Sequence, residues 1–307
     1  MKFLAPFVAL AIGTLATHAG PGFSMVNSND EFILVSHASR PLVKLMIKND
    51  RSTKEAAHET YKVYLHVIDP LDKSKTITKG AGDKFTHHRG IYIGWSKLKT
   101  GGKSYDTWHM KGNVMQVYRD LVSKDLRTDR ATFSVSIDWV DGDEVLLSEV
   151  RTFIVHKPEA NGAFILDKKS RITAVKADAE LNGDPEHAGC QFRASAEVVK
   201  NKSARYFFPG GEMTQKEVQA SRDMDWAAMT FKANGNDYHV HHMSHPSLPT
   251  GLRYSAYRDY GRFGSFWVAT IKKGKSKTFP IRFHISPGAF PDSIAKDCEA
   301  RYEAFAK

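Results

Sequence analysis

The chain has 307 residues, of which 41% are hydrophobic and 25% are charged. This composition is that of an ordinary globular protein and excludes a disordered or fibrous chain. The formal net charge of +10 favours acidic glycans or other anionic partners. Because no lysine–arginine run or recognition motif accompanies this charge, we expect no nucleic-acid partner.

Residues 1–19 have the pattern of a secretory signal peptide. They read MKFLAPFVALAIGTLATHA, with one lysine, an apolar stretch and a small-x-small cleavage site at 17–19. No later segment reaches the roughly 18 to 20 apolar residues that a membrane span needs. We therefore expect a secreted or periplasmic protein without membrane insertion after signal cleavage, in which residues 20–307 form a single β-sandwich domain.

From Phe32 onward, short segments of alternating or β-branched residues recur along the chain. Examples are YKVYLHVI, ATFSVSIDWV and TFPIRFHIS, and turn-forming clusters such as LNGDPEH and KKGKSK separate them. A dozen or more strands without a repeat or linker predict an all-β fold, a large two-sheet antiparallel β-sandwich.

The C-terminal segment is the clearest helix in the sequence. It opens at residues 291–293, and its apolar face holds Ile294, Cys298, Tyr302 and Phe305. A second short helix is expected near residues 212–220. Cys298 and the other cysteine, Cys190, are both predicted to be buried small hydrophobic residues. The alternative, in an oxidising compartment, is a disulfide between them.

The segment DKFTHHRGIYIGW, residues 83–95, places two histidines and an arginine in front of an apolar run. If residues 85–95 form one strand, His87 and His88 point to opposite faces unless the chain bulges. A histidine at a strand end is often only solvated, but the following segment Asp-Thr-Trp-His adds aromatic and imidazole surface. We predict that His87 or His88 is catalytic and that Arg89, Trp108 and His109 bind substrate.

The segment DPEHAGCQFRAS, residues 184–195, alternates cleanly between polar and apolar positions. As a strand, it has a polar face with His187, Gln191 and Arg193 and a core face with Ala188, Cys190 and Phe192. We predict a groove that binds a hydroxylated or carboxylated ligand, the alternative being an ordinary exposed sheet face. His187 is a catalytic candidate with Glu186 as its carboxylate partner, and Gln191 and Arg193 are candidates for substrate binding.

The segment YHVHHMSHPSLPTGLRYSAYRDYGRFGSFW, residues 238–267, combines histidine, tyrosine and arginine. His239 and His241 share a strand face, and prolines 246 and 249 predict an irregular loop after them. Aromatic rings stack on sugars, and arginine and histidine bind hydroxyls or acids. We predict that His245, Arg258 and Tyr260 bind substrate, the alternative being a loop that only packs its aromatic rings.

Other kinds of chemistry have little support in the sequence. There is no nucleophile elbow and no phosphate-binding glycine motif, so we expect no nucleotide cofactor. A divalent metal remains an alternative, because three imidazoles and a water make an open catalytic site. Its ligands would be His87, His109 and His187, or the histidines of residues 239–245.

Three ordered stretches carry a resemblance to a known family: THHRGIYIGW with DTWH, GDPEHAGCQFR, and HPSLP with YRDYGRFG. They resemble, in order and spacing, the exported bacterial domain of unknown function that is often labelled "methane oxygenase PmoA". This chain departs from the family pattern at Ser244, where an aspartate is usual, and at Tyr254 and Tyr257, which lie in the region of a usual tryptophan.

The resemblance implies an exported β-sandwich, similar in outline to the large sandwiches of sugar mutarotases, from bacteria that degrade glycans. The methane oxygenase subunit of that name is a membrane protein, and this chain has no spanning segment after its signal. We therefore reject methane oxidation as its function.

The sequence favours an exported carbohydrate-active protein that uses histidine as a general acid or base on a sugar or uronic acid. Its expected partner is a small-molecule sugar or glycan, including acidic ones. Because the sequence shows no paired carboxylates at a readable spacing, an epimerase or lyase is favoured over a hydrolase. The alternatives are a non-catalytic glycan-binding module and a histidine-ligated metal enzyme.

Overall fold

Two antiparallel sheets of eight strands and a smaller sheet of four strands hold most of the chain. The computed structural model describes residues 22–28, 30–290 and 293–307, apart from the side chain of Ile294. The predicted signal peptide and residues 291–292 of the predicted helix start lie outside the described residues.

The strands are β1 (Phe23–Ser28), β2 (Phe32–His37), β3 (Arg40–Met46), β4 (Tyr64–Val67), β5 (Ile91–Trp95), β6 (Lys97–Thr100), β7 (Lys103–Tyr105), β8 (Val114–Leu126), β9 (Arg130–Asp141), β10 (Glu144–His156), β11 (Phe164–Ala174), β12 (Ala179–Asn182), β13 (Ala188–Arg193), β14 (Arg205–Phe207), β15 (Trp226–Ala233), β16 (Asn236–Ser244), β17 (Arg253–Arg258), β18 (Arg262–Phe266), β19 (Ala269–Ile271) and β20 (Ser276–Pro287). The helices are α1 (Lys54–Thr60), α2 (Val198–Asn201), α3 (Gln215–Ala220) and α4 (Ile294–Ala306). No helix in the described ranges is long and apolar enough to cross a membrane.

The order of the strands defines the three sheets. The front sheet runs β1, β2, β3, β4, β5, β13, β18, β17, and the back sheet runs β14, β15, β16, β20, β11, β10, β9, β8. The small sheet runs β19, β12, β6, β7. The predicted all-β antiparallel sandwich with a short C-terminal helix is confirmed.

The hydrophobic core lies between the front and back sheets. The ring of Trp95 in the front sheet lies 5.9 Å from that of Trp139 in the back sheet. On β9 every second side chain from Ala131 to Trp139 is fully buried, as the two-residue period of a strand requires. Burial of each large apolar side chain stabilises the fold by about 1.5–3 kcal/mol.

The C-terminal helix packs on the outer face of the back sheet. Its buried residues Cys298, Tyr302 and Phe305 contact Trp226 and Met243, so the predicted apolar face is confirmed. Cys190 instead lies in the core of the sandwich, and both cysteines are free and buried. The expectation that they are small buried residues is thus also confirmed.

The short helix predicted near residues 212–220 is also present, as α3. It begins at a capping box, in which the Thr214 side chain accepts the Glu217 N–H and the Glu217 carboxylate accepts from the Thr214 backbone. Two otherwise unpaired N–H groups of the first turn are satisfied in this way. Thr214 therefore sets where the helix starts.

The outer face of the front sheet forms the floor of the candidate site. Strand alternation turns Ile91 and Ile93 toward the core and Tyr92 outward, and the register places Gln191 opposite Tyr92. Four connections, residues 79–90, 106–111, 183–187 and 259–261, run over this face. Connection 106–111 lies directly on the sheet because Gly94 has no Cβ, which would clash with the carbonyl oxygen of Thr107.

Candidate active site

Two connections carry the same local motif, Asp-x-x-His. In the first, the Asp106 carboxylate accepts the backbone N–H of His109 at 2.8 Å and contacts the Nδ1 of the same residue at 2.8 Å. In the second, the Asp184 carboxylate accepts the backbone N–H of His187 at 3.1 Å and contacts its Nδ1 at 3.0 Å. An ionised carboxylate only accepts hydrogen bonds, so each Nδ1 carries the proton that it donates, and each Nε2 is left for another partner.

Both aspartates stay ionised at neutral pH. Burial raises the pKa of Asp106, but the hydrogen bonds from the His109 side chain and backbone outweigh burial and lower that pKa to about 2. The His187 hydrogen bond is the main cause that lowers the pKa of Asp184. Sequence reasoning missed both aspartates, although their equal spacing from His109 and His187 was a usable signal.

His87 and His88 lie in a loop, and the prediction of a strand over residues 85–95 is wrong for its first half. The strand begins only at Ile91, because Phe85 and Gly90 adopt left-handed backbone angles, with φ of 61° and 47°. The two rings therefore do not point apart. Their centroids lie 4.2 Å apart, and both rings line one pocket.

The loop histidines continue into a row of four imidazoles. The ring of His87 lies 4.4 Å from that of His109, which lies 5.2 Å from that of His187. Burial, followed by the charge of Lys62, lowers the pKa of His87 to about 2. Burial and then the charge of Arg262 lower the pKa of His88 well below its usual range. Both rings are neutral at pH 7 and able to accept a proton.

Lys62 holds two of the histidine connections together, and sequence reasoning missed it. Its buried ammonium donates to the carbonyl oxygens of His87 at 3.0 Å and of Trp108 at 2.7 Å, and lies 4.6 Å from the centre of the Tyr92 ring. Burial lowers the pKa of Lys62 well below its usual range. In the alternating segment YKVYLHVI nothing distinguishes this lysine from an exposed one.

Three of these histidines, His87, His88 and His187, line a pocket of about 280 Å³. Its walls are Phe85, His87, His88, Glu186, His187, Arg258, Tyr260 and Arg262. The pocket is slightly smaller than the roughly 300–1,000 Å³ typical of small-molecule sites. Six of the predicted catalytic and binding residues, Glu186 among them, thus meet here from three separate segments.

Glu186 is engaged in the wall of this pocket. Its carboxylate accepts from the Tyr257 hydroxyl at 2.8 Å and from the Arg258 guanidinium at 2.5 Å. Burial raises the pKa of Glu186, but these two partners outweigh it and leave the pKa below its usual value. Glu186 is therefore an ionised partner of Arg258. The sequence predicts His187 as its partner, and the structure does not show that contact.

Gln191 and Arg193 lie in the floor below the pocket rather than in an open groove. All six residues of β13 are buried, because connections cover its outward face. The Gln191 amide oxygen accepts from Arg262 at 3.1 Å, and Arg193 donates to the carbonyl oxygen of Tyr260. His187 precedes this strand and is held by its aspartate turn, so it does not share the strand face predicted for it.

His109, a predicted substrate-binding residue, lies beside His187 but does not line the pocket, and three others lie farther from it. The buried Arg89 guanidinium donates to the carbonyl oxygens of residues 58, 59 and 86, so it fastens α1 to the loop. Trp108 is fully buried, with its ring 5.9 Å from that of His88, and cannot stack on a sugar. His245 contacts Ser247 and Phe305 near the C-terminal helix, at a separate pocket of about 160 Å³.

The histidine clusters do not form a ready metal site. His87, His109 and His187 lie side by side, yet in the described ranges no three histidine, cysteine, aspartate or glutamate side chains are placed to hold a metal ion. The histidines of residues 239–245 also diverge. His242 lies in the sandwich core beside Tyr254, whereas His241 faces Trp226.

Solved structures with a similar fold include carbohydrate enzymes, at low similarity. A heparan sulfate lyase HepC mutant from Pedobacter heparinus is 9% identical with a TM-score of 0.40, and the match covers 86% of this chain but only 36% of the lyase. A galactose mutarotase related enzyme from Lactobacillus acidophilus is 10% identical with a TM-score of 0.37, over 88% and 98% of the two chains. A protein from Synechocystis is 12% identical with a TM-score of 0.44, over 84% and 96%.

No curated protein matches the sequence. The model of a family described as "Family of unknown function (DUF6807)" matches residues 33–298, which include every residue of the pocket. The chain therefore belongs to the DUF6807 family.

Proposed function

We propose that the protein is an exported carbohydrate-active enzyme that uses histidine general acid–base chemistry on a sugar or uronic acid. The observation that carries this proposal is the meeting of His87, His88 and His187 in one pocket with the rings of Phe85 and Tyr260. Neutral imidazoles supply proton transfer near neutral pH, and aromatic rings suit the apolar face of a sugar.

The loop histidines and His187 differ in how they are held. In the unliganded pocket His87 and His88 are neutral at pH 7, and their lowered pKa values make them weak bases there. His187, with its Nδ1 held by Asp184, presents a free Nε2 that accepts a proton and donates it once charged. One of the loop histidines and His187 therefore form a pair of proton-transfer groups that face the same ligand.

Two reactions fit such a pair. In ring-opening epimerisation, the base takes the proton of the anomeric hydroxyl, the bond from C1 to the ring oxygen breaks, and the acid protonates that oxygen. In elimination on a uronic acid, the base takes the C5 proton, the bond from C4 to its oxygen breaks, and the acid protonates the leaving oxygen. Hydrolysis usually needs two carboxylates, and Glu186, the only carboxylate lining the pocket among the described residues, is paired with Arg258.

The test is turnover by wild-type protein and single variants. Sugars and uronate oligosaccharides are assayed for anomeric exchange by NMR and for unsaturated products by ultraviolet absorbance. We expect His187→Gln to lower kcat by about 100-fold or more, while the control His245→Gln, outside the pocket, keeps wild-type turnover. Full activity of His187→Gln would contradict the proposal. Ligand binding that depends on His187 without turnover of any compound would instead favour a glycan-binding module.

A further inference from the structure

Two arginines elsewhere in the sandwich have a carboxylate partner, and a third, the fully buried Arg89, donates from all three of its nitrogens to backbone carbonyl oxygens. Arg151 is fully buried with its guanidinium 2.7 Å from the carboxylate of Glu149, and Arg282 lies 2.6 Å from that of Asp167. This is the usual arrangement, because a charge without a partner is costly in a protein interior.

Two arginines at the pocket have neither a carboxylate partner nor a full set of backbone acceptors. Arg193 and Arg262 are 0% and 1% exposed, and neither forms an ion pair with any carboxylate of the described residues. Arg262 donates to three neutral acceptors, the amide of Gln191, the hydroxyl of Ser255 at 2.9 Å and the hydroxyl of Tyr260 at 3.4 Å. Arg193 donates to a backbone carbonyl, and its Nε and second terminal nitrogen have no partner.

The other charges at the pocket do not compensate these two arginines. The carboxylate of Glu186 is taken by Arg258, whose Nε is buried and has no partner. Lys62 adds a further buried amine behind the histidines, and the Nδ1 of His88 faces this region without a partner. The pocket region therefore has more positive than negative side chains, and N–H groups of Arg193 and Arg258 have no acceptor.

We infer that the pocket takes a sugar bearing an oxyanion, either a carboxylate or a sulfate ester, which Arg262 and Arg258 bind. This inference rests on the proposed function of the same pocket and names its substrate class. Guanidinium groups match the two oxygens of a carboxylate or sulfate, and charge-assisted hydrogen bonds are roughly twice as strong as neutral ones.

A bound oxyanion would also prepare the histidines for acid catalysis. Positive neighbours, Lys62 for His87 and Arg262 for His88, rank directly after burial among the causes that lower their pKa values. A negative charge in the pocket opposes these neighbours and raises both pKa values. The substrate itself would then help His87 or His88 to hold the proton that it donates.

The test compares matched pairs of ligands by calorimetry. Methyl glucuronide is paired with methyl glucoside, and glucose 6-sulfate with glucose, so each pair differs only in the anionic group. We expect an anionic member to bind with a Kd at least about tenfold lower. Arg262→Met should abolish the preference, and the matched control Arg282→Met should keep it. The pair with the larger preference identifies carboxylate or sulfate as the group bound.

A second variant has an effect of opposite sign and guards against misfolding of Arg262→Met. Glu186→Gln removes the carboxylate that occupies Arg258, so each anionic ligand should gain several-fold in affinity relative to its neutral partner. Weaker anion binding by Glu186→Gln, equal Kd values within each pair, or no binding of either anionic probe would overturn the inference.

The inference and the proposed function fail in different ways. Turnover of neutral sugars that depends on His187, with equal affinities within each pair, would overturn only the oxyanion inference. Anion binding that depends on Arg262, without any turnover, would retain the oxyanion site and overturn the proposed enzyme.

Discussion

The rings of His109 and His187 lie 5.2 Å apart, although they come from connections that are distant in the sequence. Each ring is oriented by an aspartate three residues earlier, and each aspartate also accepts the backbone N–H of its histidine. The two Asp-x-x-His turns have the same local geometry, and this geometry orients the Nε2 atom of each ring independently of the rest of the sandwich. The roles of these aspartates can therefore be tested one at a time.

Asp184→Asn should change the protonation pattern of the His187 ring. The neutral amide is a weaker acceptor than a carboxylate, so the tautomer with the proton on Nδ1 loses its preference and turnover falls at least about tenfold. Long-range proton–nitrogen NMR of the ring reports the tautomer directly. Asp178→Asn, which removes an exposed partner of Lys272, is the control and should leave the ring unchanged. A wild-type ring protonated on Nε2 would contradict the assignment.

Lys62→Met should loosen both histidine connections. The carbonyl oxygens of His87 and Trp108 lose their donor, and a buried unsatisfied acceptor costs about 1–3 kcal/mol in the free energy of unfolding. The pKa of His87 should also rise, because the charge of Lys62 helps to lower it. Denaturant unfolding and NMR titration measure the two effects.

Lys168→Met is the matched control for that experiment. Lys168 is equally buried and donates to the Ser170 hydroxyl at 2.6 Å in the back sheet. Its replacement should cost stability without moving the pKa of His87. An equal shift in both variants would mean that Lys62 acts only through the overall fold.

Acidification should destabilise the protein, and His242 should contribute to the decrease of the free energy of unfolding with falling pH. Burial lowers the pKa of His242 to about 3, whereas in the unfolded chain it lies near 6.5. Between these values the unfolded state binds a proton that the folded state does not. Stability therefore falls as pH decreases from about 6.5 toward 3, by up to about 1.4 kcal/mol per pH unit for this group.

Urea unfolding at several pH values between about 7 and 4 measures this slope. His242→Met should give a shallower slope than the wild type. Met243→Leu, a buried neighbour that does not titrate, should keep the wild-type slope. Parallel slopes for all three proteins would show that His242 is not the titrating group.

Removal of divalent metals should leave turnover unchanged. His87, His109 and His187 lie together, but their side chains do not converge as ligands. Dialysis against a chelator, followed by metal analysis and assay of the same sample, tests this expectation. Stoichiometric metal whose loss abolishes activity would support the alternative of a metal enzyme.

The sandwich was predictable because strand alternation is a local property of the sequence. Segments such as residues 132–140 bury every second side chain, so their period alone indicates the structure. The site was partly predictable, because the three histidine- and arginine-rich stretches do meet in one pocket. Their chemical roles remain predictions.

Other features of the site depend on contacts that no local pattern reveals. The left-handed angles of Phe85 and Gly90 delay the start of the predicted strand to Ile91 and turn His87 and His88 together. Arg89 and Trp108 have the residue types of a binding site, but neighbouring segments bury them. Lys62 and Arg262 matter through partners distant in the sequence, so their importance appears only once the chain is folded.

The alternation of β13 separates two kinds of evolutionary constraint. Phe192 faces the core, while its neighbours Gln191 and Arg193 face the pocket. Substitutions at the outward positions, or in the connections above them, change the ligand chemistry without repacking the sandwich. Members of one family can thus diverge in substrate while keeping the same core, and sequence differences at the outward positions are the place to look for such divergence.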